Sequence, residues 1–185
     1  KHNKFYFTVE PLSPEIQKVV GNLKPSQAAY PDLHIKGGEE LGKAHSFDFS
    51  AHDEETHLTG FIVPEHYTEE WKIHTVDFFD YFDEPLRSQL LAKNIRTNKP
   101  YGGKIDYDQD GKLIGNWFVE GTNGYMGIYS PEYWVTHVSF SPHTIDPSYF
   151  VISLGNFSGQ AKQFVAKGNA PWPAKVKMNS GVVKY

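Results

Sequence analysis

The chain contains no cysteine. That absence removes disulfides, thiolate nucleophiles and Cys-ligated zinc together, and it leaves the redox compartment open because a Cys-free protein can live on either side of a membrane. Basic clusters are missing as well. With 18 Lys+Arg against 22 Asp+Glu and a formal charge of -4, no face is set up to hold a phosphate backbone, so no nucleic-acid partner is expected. No apolar run approaches the roughly 18 to 20 residues needed to cross a bilayer, so no membrane span is expected either. The sequence starts at Lys1 without an initiator Met or signal peptide and stops at Tyr185 within a strand-like run, which reads as processing or a fragment.

Aromatics and turn formers are abundant. They make up 15% of the chain, with 13 Phe and 11 Tyr, and 16 Gly and 12 Pro punctuate it, which favours strands and turns over a helical bundle. The expected fold is mainly β with two short helices, a β-rich α+β protein built on antiparallel sheets. Its 185 residues allow one or two compact units.

A strand is expected over residues 4–9. Ser13-Pro14-Glu15 then supplies an N-cap, a Pro at the first helical position and an acid in the first turn. Ile16, Val19, Val20 and Leu23 follow at helical spacing and predict a helix over 14–23. Short strands are expected at 33–36, 46–50 and 60–63, and Asp83 is the expected cap of a second helix carrying Leu86, Leu90 and Leu91. The turn-rich run Asn98–Gly103 marks the expected boundary between a unit of residues 1–97 and a unit of residues 98–185. In the second unit, strands at 104–108, 112–119, 134–140, 149–154, 161–166 and 175–178 suit a small antiparallel barrel or sandwich.

Few motifs carry chemistry. Nine histidines are scattered without HExxH or HxH spacing, and His52 and His57 share no helix or strand face. No Gly-x-Ser-x-Gly elbow is present. Paired acids such as Glu39-Glu40, Glu54-Glu55 and Glu69-Glu70 read as solvated turns. Asp106, Asp108 and Asp110, followed by Gly111, match the opening of a calcium loop, in which alternating carboxylates converge on a hard cation. The twelfth position of such a loop, which needs a bidentate acid, is Trp117, so a plain hairpin turn at Asp110-Gly111 is the alternative.

Aromatics concentrate in two places. Trp71, Phe78, Phe79, Tyr81 and Phe82 precede the second helix, and Trp117, Phe118, Tyr125, Tyr129, Tyr133 and Trp134 fall in the second half. They read as core packing or as a ligand platform, because aromatic faces stack on sugars and other flat groups. Trp117, Tyr125, Tyr133 and Trp134 are the candidate ligand-binding residues. Asn156-Phe157-Ser158 is a glycosylation sequon, relevant only in a secretory route.

Two local patterns resemble known families. The turn Gly38-Glu39-Glu40-Leu41-Gly42 and the strand Ser46-Phe47-Asp48-Phe49-Ser50 resemble the end of the lysostaphin-type (M23) zinc peptidase fold, where a Gly-x-x-Ile-Gly turn precedes a His-Leu-His-Phe-Glu strand. The resemblance covers about 50 residues. Asp48 falls where that family has a ligating His, Ser46 falls where it has the second catalytic His, and the upstream His-x-x-x-Asp pair has no counterpart. It therefore implies a degenerate, non-peptidase scaffold without catalytic residues. Gly115-Asn116-Trp117 is similar to the Gly-x-Trp opening strand of lipocalin-like (calycin) barrels, which implies an apolar or aromatic cavity.

The leading functional expectation is a non-catalytic extracytoplasmic or cell-surface binding or assembly protein with no cofactor other than a candidate calcium ion. Its partner would be a protein, a small molecule or a glycan. The alternatives are a small-molecule or carbohydrate-binding module built on the aromatic cluster, and a metal-dependent hydrolase using Asp48 or the histidines.

Overall fold

The computed structural model describes residues 2–7, 12–22, 33–43, 47–67, 69–126, 132–168 and 171–185, and the side chains of 2–7, 47, 48 and 70 are outside that description. The chain is mainly β, with two short α-helices among the described residues. Contacts divide it into Asn3–Ser50 and Ala51–Tyr185, so residues on both sides of position 98 belong to one unit.

In the Asn3–Ser50 unit, strand β1 (His2–Phe7) precedes helix α1 (Pro14–Val20). The Ser13 side chain accepts from the Ile16 N–H, Pro14 opens the first turn and Glu15 adds a negative charge there, as the sequence predicts. The helix stops three residues earlier than its apolar spacing predicts. Gly21 takes a left-handed φ of 71° and donates its N–H back to the Gln17 carbonyl, which turns the chain out of the helix. The expected strand at 33–36 is a loop leading into the Gly37-Gly38 turn. Strand β2 (Phe47–His52) begins in this unit, while Ser46 and the Asp48 side chain lie outside the described residues.

The Ala51–Tyr185 unit carries the rest. Ala51 and His52 pair antiparallel with Val76 and Thr75 of strand β3 (Thr75–Val76). Helix α2 (Leu86–Leu91) starts later than Asp83. The Glu84 carboxylate, not that of Asp83, takes up an early helical donor, the Ser88 N–H at 3.1 Å. Phe78 and Phe79 pack 4.4 Å apart between centroids, with Phe82 and Tyr101 edge-on to them, a ring cluster around the buried Phe79, while Tyr81 is exposed.

Four antiparallel strands form the main sheet in the order β4 (Gly115–Phe118), β5 (His137–Pro142), β6 (Phe150–Phe157) and β7 (Gln160–Ala166). Among the described residues β4 and β7 are its edges, so no closed barrel forms there. Alternation sorts its residues onto two faces. Phe140, Ile152 and Phe164 align across three strands on one face. The C-terminal segment lies against that face, with Trp172 and Tyr185 edge-on to Phe150 and Tyr185 also 6.1 Å from Phe140.

The expected strands at 60–63 and 104–108 do not form. Gly60 and Ile62 instead donate their N–H groups to the carboxylates of Asp106 and Asp108, at 2.9 and 3.3 Å. Residues 175–178 contribute a single bridge, Lys112 to Lys177. No helix among the described residues is long and apolar enough to cross a membrane.

Candidate functional site

A cavity of about 750 Å³ lies over the second face of the main sheet, entirely within the Ala51–Tyr185 unit. Its floor follows from strand register. Asn116 on β4 stands opposite Ser139 on β5, Ser139 opposite Ser153 on β6, and Ser153 opposite Gln163 on β7. All four line the cavity, so one row of short polar side chains crosses the sheet from edge to edge. Neighbouring strands lie about 4.8 Å apart, which makes the row roughly 14 Å long. No hydrogen bond joins the Ser139, Ser153 or Gln163 side chains to protein among the described residues.

The walls are aromatic. Tyr67 is buried, with Phe61 4.1 Å, Phe118 5.7 Å and Tyr125 6.0 Å away between ring centroids. Its hydroxyl accepts from Asn116 Nδ2 at 2.9 Å, tying the wall to the floor. Burial, reinforced by the nearby Asp108 carboxylate, drives this phenol's pKa far above its ordinary range, so Tyr67 stays neutral. Tyr125 continues the wall to Tyr133 at 5.3 Å and His137 at 5.0 Å.

Lys72 is a buried cation of this wall, 9% exposed. Its Nζ sits 4.0 Å from the ring centroids of both Trp71 and Tyr125 and pairs with Glu69 at 2.5 Å. The two ring faces and the carboxylate together make up for lost hydration. Trp71 stacks on His52 at 5.2 Å on its other side. His137 is hydrogen-bonded to the Tyr125 backbone, while its Nε2 has no protein partner. Burial lowers its pKa and favours the neutral ring.

Of the four candidate ligand-binding residues, Tyr125 and Trp134 line the cavity. Tyr133 touches Tyr125 and His137 from behind, its hydroxyl 3.4 Å from that of Tyr125. Trp117 does not line the cavity. It is 48% exposed, on the alternate face of β4 from Asn116 and Phe118, and its Nε1–H donates to the Leu113 carbonyl. Tyr129 lies outside the described residues.

The position of Trp134 depends on a glycine. A Cβ on Gly155 would overlap the Trp134 carbonyl and lie 3.1 Å from Val135 Cα. The missing side chain lets the 3₁₀ turn Tyr133–Thr136 descend onto β6 and carry Trp134 to the cavity rim.

Two of the three calcium candidates hold backbone donors. Asp108 Oδ1 accepts from the Asn116 N–H and Oδ2 from the Ile62 N–H. Asp106 accepts from the Gly60 N–H and pairs with Lys104. Asp110 is exposed in the Gln109–Lys112 turn, where Lys112 N–H donates to the Gln109 carbonyl at 3.0 Å. No group of three or more His, Asp or Glu side chains converges for a metal among the described residues.

Sequence reasoning missed the polar row. The signal was present in the alternation of β5, where His137, Ser139 and Ser141 interleave with Val138 and Phe140. The same alternation is what an ordinary solvent face gives. Comparison with family models, curated proteins and solved structures yields no match for this chain.

Proposed function

We propose that the chain is a non-catalytic binding protein whose Ala51–Tyr185 unit holds a small organic ligand in the cavity over the main sheet. One observation carries this reading. The Asn116–Ser139–Ser153–Gln163 row faces a walled space of about 750 Å³ rather than a second layer of the core. That volume is in the range of roughly 300 to 1,000 Å³ that small-molecule sites occupy, and a mainly aromatic wall with a few convergent polar groups is their usual make-up. An extracytoplasmic setting belongs to the same proposal, with the Asn156 sequon at an exposed hairpin turn.

The test fills the site. Small-molecule panels are screened by protein-observed NMR, following the amides of Ser139, Ser153 and Tyr125, with Ser153→Phe as the blocked form. Ligands that shift those amides in wild type and lose affinity at least tenfold in the blocked form support the reading. Ligands that bind the blocked form equally well, or no cavity shift from any class of compound, overturn it.

A further inference from the structure

We infer that the cavity's ligand is a neutral oligosaccharide of three to four units, lying across the strands along the polar row. This rests on the cavity being a binding site, and it adds the class of ligand.

The floor argues against a lipid-like occupant. Asn116, Ser139, Ser153 and Gln163 present hydroxyl and amide groups at every strand of the row. An apolar ligand would strip them of water and give no hydrogen bond in return, at a cost for each group. A polyhydroxylated ligand satisfies them, because each hydroxyl both donates and accepts.

The charges argue for neutrality. Lys72 pairs with Glu69 and Lys104 with Asp106, so two of the three lysines at the cavity already have an acid. The third, Lys162, alternates with Gln163 on β7, so its side chain leaves the sheet on the face opposite the polar row, where it lies over the Phe157 ring at 5.3 Å. No carboxylate lines the cavity among the described residues, which leaves a cationic ligand without a counterion. The same absence bears on chemistry, since glycoside cleavage ordinarily needs two carboxyl groups flanking the bond. The sugar is held, not hydrolysed.

Repeat and wall agree with this class. The row offers one polar group per strand at a spacing near 4.8 Å, about the length of one pyranose along an extended chain. The 40%-exposed Trp134 stands beside it with ring surface against which a sugar's apolar C–H face can stack.

The experiment titrates the whole chain by calorimetry with gluco-, manno- and N-acetylglucosamine oligomers of one to six units, uronic-acid oligomers and a C12 fatty acid. Affinity for at least one neutral series should rise with length and level off at three to four units. Ser139→Ala and Ser153→Ala should each weaken it about five- to tenfold with the far-UV circular dichroism unchanged, whereas Trp117→Ala should leave it within twofold. Preference for the uronic series or the fatty acid overturns the neutral-sugar assignment and leaves the binding cavity standing. Failure of every compound here, together with no cavity shift in the broader NMR screen, overturns both.

Discussion

The substitution Asp108→Ala tests the part of this molecule whose sequence most suggested a metal. Asp108 holds two backbone donors, the Ile62 N–H from 46 residues away at 3.3 Å and the Asn116 N–H from eight residues on at 2.9 Å. Alanine leaves both without that acceptor. The Asn116 N–H is part-buried, where an unsatisfied donor costs about 1–3 kcal/mol, while the exposed Ile62 N–H exchanges its bond for water at a net loss of about 0.5–1 kcal/mol. Taking the lower part of the first range, because water reaches part of the site, the loss is about 1.5–3 kcal/mol. A chain of this size shifts its Tm by about 2–4 °C per kcal/mol, so the melt should fall by about 3–12 °C. Asp108→Asn keeps one acceptor oxygen and should lose roughly half as much. Burial raises the Asp108 pKa above its ordinary value of 3.8. A raised carboxyl contributes most below that ordinary value and loses the contribution as pH rises through the folded value. Wild type should therefore gain on Asp108→Ala as the pH falls toward 4. The assay is thermal and urea unfolding by circular dichroism, with 2 mM calcium or chelator in parallel. The reasoning fails if Asp108→Ala melts within 1 °C of wild type, or if calcium raises the wild-type Tm by several degrees.

Three further outcomes are expected. Gly155→Ala forces a methyl group against the Trp134 carbonyl, so it should cost about 1–3 kcal/mol and shift tryptophan emission as the Tyr133–Thr136 turn is displaced; an unchanged spectrum and melt would contradict the close approach. His137 has its pKa lowered by burial, so its contribution is present above the ordinary value of 6.5 and is lost as pH falls through the folded value. Urea unfolding at pH 7.5 and 5.5 should show wild type losing more stability on acidification than His137→Gln, and equal losses would refute the assignment. Trp117→Ala removes an exposed ring and its bond to the Leu113 carbonyl, so stability should fall by only about 1 kcal/mol, and a drop above about 3 kcal/mol would place that ring in the core.

Periodicity read the regular parts of this chain well and the irregular parts poorly, for one physical reason. The strands β4 to β7 are held by ladders between neighbours in sequence, and alternation reports such pairing directly. Helix α1 was legible from Ser13-Pro14-Glu15 because capping is local. Residues 104–108 alternate equally well, yet they form no ladder, because Asp106 and Asp108 take the backbone donors of residues 60 and 62 with their side chains. A bond between residues 46 positions apart leaves no local trace. The lysostaphin-like turn and strand remain a proposal about ancestry, since Ser46 and the Asp48 side chain lie outside the described residues.

The site shows a related ambiguity of phase. Alternation in Gly115-Asn116-Trp117-Phe118 states that Trp117 and Phe118 face opposite ways, but not which of them meets the cavity. Trp117, a member of the aromatic cluster, is the candidate that the sequence offers. The decision is made from outside the strand, by Tyr67, which stands 5.7 Å from Phe118 and accepts a hydrogen bond from Asn116. A segment roughly fifty residues earlier in the chain therefore sets which half of the alternation becomes the floor of a site. With Phe118 turned inward to the wall, the row behind it must be Asn116, Ser139, Ser153 and Gln163, because register on four strands leaves no other choice. The polar half of the pattern, which in most sheets meets only water, is here the half with walls around it, so a ligand lying on that floor would meet hydroxyl and amide groups before the tryptophans.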